Sequence, residues 1–136
     1  MSMAANMVKA FLDTKEVTYR EVNERTLLLT FSGFSFNSLD VGLIFEEDDR
    51  SVSLRCPRVS TFEPSKKQKL YEVCSVLNAK FKWIKFYLDE ENNVIEAAID
   101  AMIQLDSCGE ECFELIGRTV SIVNEAYPEI MKAIWG

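Results

Sequence analysis

The stretch WIKFYLDEENNVIEAAIDAMIQL, residues 83–105, decides the fold of this chain. Apolar and polar residues alternate on both sides of the acidic run Asp89–Asn93. A period of two is typical of β-strands, and a short polar run between two such segments favours a turn. We therefore predict a β-hairpin from Trp83 to Leu105. Its core-facing residues are expected to be Ile84, Phe86, Leu88, Ile95, Ile99 and Ile103.

The segment before the hairpin, from Thr18 to Cys56, shows the same period of two. Polar connections such as Asn23-Glu24 and Glu46–Arg50 separate its apolar positions and favour turns. Because each connection is short, neighbouring strands should pair antiparallel as a meander. The apolar positions of these strands are Tyr19 and Val22, then Leu27, Leu29 and Phe31, then Leu39, Val41, Leu43 and Phe45, and last Val52, Leu54 and Cys56.

Other segments show the three-to-four-residue spacing of amphipathic helices. They are Met3–Lys15, Pro64–Lys80 and the segment from Ser107 to the end. Pro64 fits the first turn of the second helix, where its missing N–H is not needed. Ser107 and Glu110 have the spacing of a capping box for the last helix. Pro128 lies inside that helix and predicts a kink near Asn124, within one helix and not between two.

Together these elements predict an α+β fold in which an antiparallel β-sheet, a meander plus a hairpin, packs against helices. The expected element order is α-β-β-β-β-α-β-β-α. A chain of 136 residues falls in the usual size range of one domain. No low-complexity tract or Pro/Gly/Ser-rich linker divides the sequence. We therefore expect residues 1–136 to form a single domain.

The sequence lacks the residues on which most catalytic and metal sites depend. It contains no histidine, which excludes Ser-His-Asp and Cys-His nucleophilic systems. Cys108 and Cys112 lie four apart but supply only half of a zinc site, and the five glycines form no phosphate-binding loop. The carboxylates of Glu46–Asp49 match no calcium loop and suit a solvated turn. We expect no enzyme activity, no metal and no cofactor.

The net charge of the chain is −7, so its long-range field repels phosphate backbones and anionic membrane surfaces. We therefore expect no nucleic-acid partner and no membrane partner. The N-terminal apolar run is too short for a signal peptide, and no stretch approaches the length of a membrane-spanning helix. The four cysteines show no framework spacing and are expected to be reduced and buried. These features predict a cytoplasmic protein.

The hairpin carries more apolar residues than one core-facing side requires. A sheet that packs against helices on one side should be polar on the other. Trp, Tyr and Met are enriched at the centres of protein interfaces. We predict a partner-binding or dimer surface made of Trp83, Tyr87, Val94, Ala98 and Met102, together with Leu115, Ile122 and Trp135, which widen the apolar stripe of the last helix.

Several pieces of the sequence resemble the YbjN-domain family. They are the helix from Pro64 that ends Leu77-Asn78, the strand Phe86-Tyr87-Leu88-Asp89 with its acidic turn, and the last helix with Ala126-Tyr127-Pro128. The resemblance covers nearly the whole chain and includes no catalytic motif. It implies the fold of class I type III secretion chaperones and a role as a bacterial sensory transduction regulator. The chaperones that share this fold are small acidic homodimers that hold an extended stretch of another protein.

The leading functional hypothesis is a non-enzymatic protein-binding module, chaperone-like or regulatory, that binds a partner protein and self-associates as a homodimer. The alternative is a regulatory domain that senses a small molecule in a pocket between sheet and helices. In that alternative, Tyr71, Cys74 or Arg118 would supply the polar contacts. A third hypothesis, a weak hydrolase, requires two carboxylates that meet in a cleft.

Overall fold

The computed structural model describes residues 2–136. These residues form three α-helices, one short 3₁₀ helix and a six-stranded sheet. The helices are α1 (Met3–Thr14), α2 (Lys67–Lys80) and α3 (Cys108–Trp135), and the 3₁₀ helix Pro64–Lys66 leads into α2. The strands are β1 (Arg20–Asn23), β2 (Thr26–Ser32), β3 (Ser38–Phe45), β4 (Ser51–Thr61), β5 (Lys85–Asp89) and β6 (Val94–Met102). The predicted α+β class and element order are confirmed.

All neighbouring strands pair antiparallel in the order β1-β2-β3-β4-β6-β5. The first four strands form the predicted meander, and the hairpin joins it through β6, which pairs with β4. Ala97 lies opposite Cys56 and Ile99 lies opposite Leu54, so these side chains share one face of the sheet. Alternation predicted the hairpin but carries no information about which strand lies beside it.

Two strand boundaries differ from the prediction. β4 continues past Cys56 to Thr61, although Pro57 has no N–H to donate to a neighbouring strand. The sheet accommodates this segment by a register shift between Cys56 and Ser60 in the pairing with β6. β5 begins at Lys85 and not at Trp83. Trp83 therefore lies in a bend that precedes the sheet.

The helices cover one face of the sheet, and a buried apolar cluster fills the space between the two layers. α3 contacts both α1 and α2. Ile116 and Val123 of α3 belong to the same cluster as Leu12 of α1 and Leu54 of β4. The residues predicted to face the core follow the pattern: Ile84, Phe86, Ile95 and Ile103 are buried, while Leu88 and Ile99 are partly buried against the cluster.

The turn between β3 and β4 fixes the start of α1. Ser2 is the N-cap residue, and its Oγ accepts the Ala5 N–H at 3.0 Å and donates to Asp49 Oδ1 at 2.9 Å. The same Oδ1 accepts the Ala4 N–H at 3.2 Å. Asp49 has φ +58°, a left-handed conformation that Asp adopts more readily than most residues. The hydrogen bond from the Ala4 amide is the largest cause that lowers the pKa of the Asp49 carboxyl.

α3 begins without the predicted capping box, so that prediction was wrong. Ser107 is the N-cap residue, but its side chain makes no cap hydrogen bond. Its φ of −130° and ψ of 6° are not the extended values that direct a capping side chain back to the helix. The carboxylate that reaches back is Glu111, whose Oε1 accepts the Gln104 N–H at 2.9 Å.

α3 runs as one helix through Pro128. A proline offers no N–H to the carbonyl four residues earlier, which is that of Asn124. Ser35 Oγ donates to the Asn124 carbonyl at 2.7 Å, and Asn124 Oδ1 accepts the Ser35 N–H at 2.7 Å. The neighbouring Phe36 is buried and packs edge-on against Tyr127. These contacts fix the β2–β3 connection on α3 where proline interrupts the helical hydrogen bonds.

Candidate functional site

The outward side of α3 carries a line of residues between two grooves. Phe113, Gly117 and Ser121 follow at intervals of four residues, so they lie on one side of the helix. All three are exposed, and a Cβ atom added at Gly117 would meet nothing within 4 Å. The same three residues line both grooves, so each groove uses this line of α3 as one wall.

The first groove, here called the Trp83 groove, lies between α3 and the connection from α2 to β5. It has a volume of about 550 Å³. Its apolar part is formed by Phe81, Trp83, Phe113 and Ile122, and charged side chains line it as well. The charged residues are Lys80, Lys82, Glu114, Arg118 and Glu125.

The most exposed aromatic ring of the Trp83 groove is held in place by a charged pair. Trp83 is 44% exposed. The Arg118 guanidinium lies 5.1 Å from the centroid of its ring, within the range of a cation–π contact. Arg118 Nη2 also donates to Glu114 Oε1 at 2.8 Å. The ring is therefore presented to solvent in a defined position.

Hydrogen bonds from α2 to β5 shape the bend that carries Trp83. The Asn78 side chain pairs with the backbone of Phe86, accepting its N–H at 2.7 Å and donating to its carbonyl at 2.9 Å. Lys85 Nζ donates to the carbonyls of Asn78 and Phe81, each at 2.8 Å. These bonds hold the chain on both sides of the bend. Within the bend, the Trp83 ring lies against Arg118 of α3.

The second groove, here called the Phe34 groove, lies on the other side of α3 and has a volume of about 440 Å³. At one end Phe11 of α1 packs edge-on against Phe113, with ring centroids 5.8 Å apart. At the other end the β2–β3 connection begins, where Phe34 stacks on Phe36 at 5.3 Å. Its lining residues are Leu12, Val17, Phe31, Phe34, Phe113, Ile116, Gly117, Val120, Ser121 and Asn124.

The outer face of the hairpin is a mixed surface and not a contiguous apolar patch. Tyr87 lies opposite Glu96, and Ala98 lies between Lys85 and Arg55 on the two flanking strands. Arg55 Nη2 lies 2.7 Å from Asp100 Oδ1. The hydrogen bond from Ser53, followed by that from Arg55, lowers the pKa of the Asp100 carboxyl. The charged network interrupts the apolar side chains on this face.

The structure divides the residues predicted to form one surface among several places. Trp83 and Ile122 come together in the Trp83 groove. Tyr87, Ala98 and Met102 lie on the outer sheet face, and Met102 is 84% exposed. Trp83 is exposed but does not lie on that face, because it precedes β5, and Val94 is only 7% exposed. Of the others, Leu115 is partly buried in the core cluster and Trp135 is exposed near the chain end.

The residues predicted to serve a ligand pocket do not converge. Arg118 lines the Trp83 groove. Tyr71 is exposed on α2 and its hydroxyl hydrogen-bonds to Glu90 at the β5–β6 turn. Cys74 belongs to the buried core cluster. Phe34, in the connection between β2 and β3, was not among the residues predicted from the sequence; the two phenylalanines of Gly33-Phe34-Ser35-Phe36 were the available signal.

Within residues 2–136, no three His, Cys, Asp or Glu residues gather as metal ligands do. The four cysteines are free and buried. Burial raises the pKa of the Cys56 thiol and the Cys112 thiol to about 12 each, which disfavours the nucleophilic thiolate. Among the same residues, no helix has the length and hydropathy that a membrane crossing requires.

The chain matches one family model over most of its length. The family model named YbjN, described as "Putative bacterial sensory transduction regulator", matches residues 4–130. A solved structure described as "Crystal structure of YbjN, a putative transcription regulator from E. coli" is similar in fold, with a TM-score of 0.66. Sequence identity to it is 14%, and the similarity covers 92% of each chain. No curated protein matches the sequence.

Proposed function

The chain belongs to the YbjN family, and on that basis we propose that it acts as a non-catalytic regulatory module that binds a partner protein. The observation that carries the proposal is the Trp83 groove, where a large aromatic ring stands half exposed beside an arginine. Trp and Arg are enriched among the residues that dominate binding energy at protein interfaces. The partner contributes a segment with apolar side chains that fill the groove, in a chaperone-like manner.

The charges of the Trp83 groove favour a partner surface that is itself mixed in charge. Lys82 and Arg118 lie on the same groove as Glu114 and Glu125. Arg118 is already paired with Glu114, so the groove presents both signs of charge around an apolar centre. This pattern differs from the single-sign surface that nucleic acid or anionic lipid requires. We accordingly assign no nucleic-acid or membrane partner to the module.

Self-association through the same groove is part of the proposal. In a two-fold dimer the same patch meets itself, so a patch with both signs of charge can place opposite charges across the axis. Light scattering tests this part with a matched pair of variants. We expect a dimer mass for the wild type and for Tyr87→Glu, and a monomer mass for Trp83→Glu. A dimer mass for Trp83→Glu would remove the groove from the dimer interface.

The proposed module works in the cytoplasm. The four cysteines support this location, since free thiols persist in a reducing compartment.

Site-specific photo-crosslinking in the native cell tests partner binding directly. A photo-reactive residue at Lys82, on the rim of the Trp83 groove, is compared with one at Glu96, on the outer sheet face. We expect a crosslinked partner from position 82 and little from position 96. Equal crosslinking from both positions, or crosslinking from position 96 alone, would move the binding site away from the groove.

A further inference from the structure

The Phe34 groove is a gap in the surface of the helix layer, between α1 and the β2–β3 connection. α1 covers the first turns of α3, where Cys108 hydrogen-bonds to Ala4 and Phe113 meets Phe11. The β2–β3 connection covers α3 from Asn124 onward. Between Phe113 and Asn124, roughly 16 Å of helix at the usual rise per residue, Ile116 and Val120 are buried in the core while Gly117 and Ser121 stay exposed, and the groove runs along this exposed edge of α3.

The walls of the Phe34 groove are apolar and come from four elements of the chain. Phe31 of β2 and Phe34 of the following connection face Ile116 and Val120 of α3, and Leu12 of α1 closes the α1 end. A groove of about 440 Å³ with such walls has the size and lining of small-molecule sites in proteins.

One end of the Phe34 groove offers a fixed hydrogen-bond donor. Asn124 Oδ1 accepts the Ser35 N–H at 2.7 Å, which sets the orientation of the side-chain amide. Among residues 2–136 no acceptor receives the Asn124 Nδ2 N–H groups. Ser121 lines the groove one helical turn earlier and adds a hydroxyl. A ligand that reaches this end meets donors positioned by the fold.

The charges around the groove select the kind of ligand. None of its lining residues is charged. Lys15 stands at the α1 end, and its ammonium group lies over the rings of Phe11 and Phe113 at 5.5 and 5.8 Å. At the Asn124 end the lining offers only the uncharged side chains of Ser121 and Asn124, so an anion there would lose solvent without gaining a counter-charge. The polar end therefore suits a neutral acceptor.

We propose that the Phe34 groove binds a neutral amphipathic small molecule, with an alkyl or aromatic body between the phenylalanines and a carbonyl oxygen that accepts from Asn124 Nδ2. This binding site is separate from the Trp83 groove and goes beyond partner binding. It differs from the pocket that the sequence suggested, because none of Tyr71, Cys74 and Arg118 lines it.

Displacement of a fluorescent probe tests the proposal on the full chain. N-phenyl-1-naphthylamine, a neutral probe that fluoresces in apolar sites, reports occupancy, and decanamide and sodium decanoate compete for it at pH 8. The variants are Phe34→Ala, which removes one wall, and the matched Trp83→Ala, which opens the other groove. Asn124→Asp keeps an acceptor for the Ser35 N–H but removes the Nδ2 donor. Circular dichroism verifies the fold of each variant.

We expect the wild type to bind the probe and to release it to decanamide at concentrations at least tenfold lower than to decanoate. Phe34→Ala should weaken probe binding at least fivefold, and Trp83→Ala should change it less than twofold. Asn124→Asp should lower the affinity for decanamide about tenfold and leave the affinity for the probe within twofold of the wild type. The proposal is overturned if the folded wild type binds no probe, if Trp83→Ala weakens the probe as much as Phe34→Ala, or if Asn124→Asp leaves decanamide unchanged.

Discussion

Asn124 illustrates, at the scale of single residues, what the sequence reveals and what it hides. Pro128 predicted a kink near Asn124, because a proline removes the donor for the carbonyl four residues before it. Ser35, which donates to that carbonyl, is 89 residues away along the chain. A contact of this separation leaves no mark in local periodicity, so no sequence pattern could name it.

The first prediction concerns this contact. Ser35→Ala removes the hydroxyl that donates to the Asn124 carbonyl and is expected to lower the free energy of unfolding by about 1 kcal/mol. Urea denaturation of the wild type and the variant measures the difference. Ser121→Ala is the control. Ser121 is exposed on α3, the helix that carries Asn124, and alanine is the better helix former. Equal changes in the free energy of unfolding for the two variants would show that the Ser35 contact does not stabilise the fold.

The second prediction concerns the Asp49 carboxylate at the start of α1. The amide of Ala4, and then the Ser2 hydroxyl, hold its pKa below the ordinary value. A carboxyl whose pKa is lower in the folded state stabilises the fold above the unfolded-state pKa, about 4, and loses that contribution as the pH falls through the folded-state value. Asp49→Asn removes the titrating group but keeps a side chain that tolerates a positive φ.

Thermal unfolding of the wild type and Asp49→Asn between neutral pH and pH 2 measures this contribution. We expect the wild type to have the higher Tm at neutral pH and the two values to converge as the pH falls below about 4. A Tm difference that stays constant over the whole range would mean that the Asp49 charge does not stabilise the cap of α1.

At the scale of elements, periodicity predicted most helices and strands. The alternation of Ile84, Phe86 and Ile95 identified the buried side of the hairpin, since successive strand residues point to opposite faces. The same rule failed for Trp83. By a period of two it would share a sheet face with Lys85, but it lies before the strand begins. The bonds from Asn78 and Lys85 that end the pattern there involve another element, so alternation alone could not reveal them.

The third prediction compares two glycines of α3. A Cβ atom at Gly109 would lie 2.6 Å from the Phe11 Cβ, closer than carbon atoms approach, so Gly109→Ala must displace α1. We expect this change to lower the free energy of unfolding by about 1–3 kcal/mol. Gly117→Ala meets no atom within 4 Å and should raise it by up to about 1 kcal/mol, because alanine favours the helix.

Urea denaturation of both glycine variants gives the two free energies on one scale. We expect the free energy of unfolding to fall for Gly109→Ala and to rise for Gly117→Ala, although both changes add one methyl group to α3. A destabilised Gly117→Ala, or a Gly109→Ala variant as stable as the wild type, would contradict the packing of α1 against α3 described above.

At the scale of the whole molecule, the fold class followed from the order of helical and strand patterns, whereas the grooves did not. Both grooves arise where elements distant in sequence fail to cover α3 completely. Phe34, Trp83 and Phe113 contribute to these places from three different parts of the chain. Sequence composition indicated that apolar residues exceed what the core needs, but only the packing of the helix layer determines which of them reach solvent.

The surroundings of the two rings explain why partner binding should depend on Trp83 more than on Tyr87. The two rings are similarly exposed, at 44% and 42%. Trp83 stands in a concave groove beside Phe81 and Ile122, while Tyr87 lies on a sheet face between charged neighbours. Residues that dominate binding energy lie in pockets from which the partner excludes water, so equal exposure does not imply equal contribution.

Quantitative affinity capture from the native cell extract tests the central claim most directly. The wild type, Trp83→Ala and Tyr87→Ala serve as baits at equal concentration, each checked for fold by circular dichroism. We expect a partner protein that is retained by the wild type and by Tyr87→Ala and is reduced about tenfold or more with Trp83→Ala, as for loss of an aromatic interface anchor. Equal retention by all three baits, or loss with Tyr87→Ala alone, would contradict partner binding at the Trp83 groove.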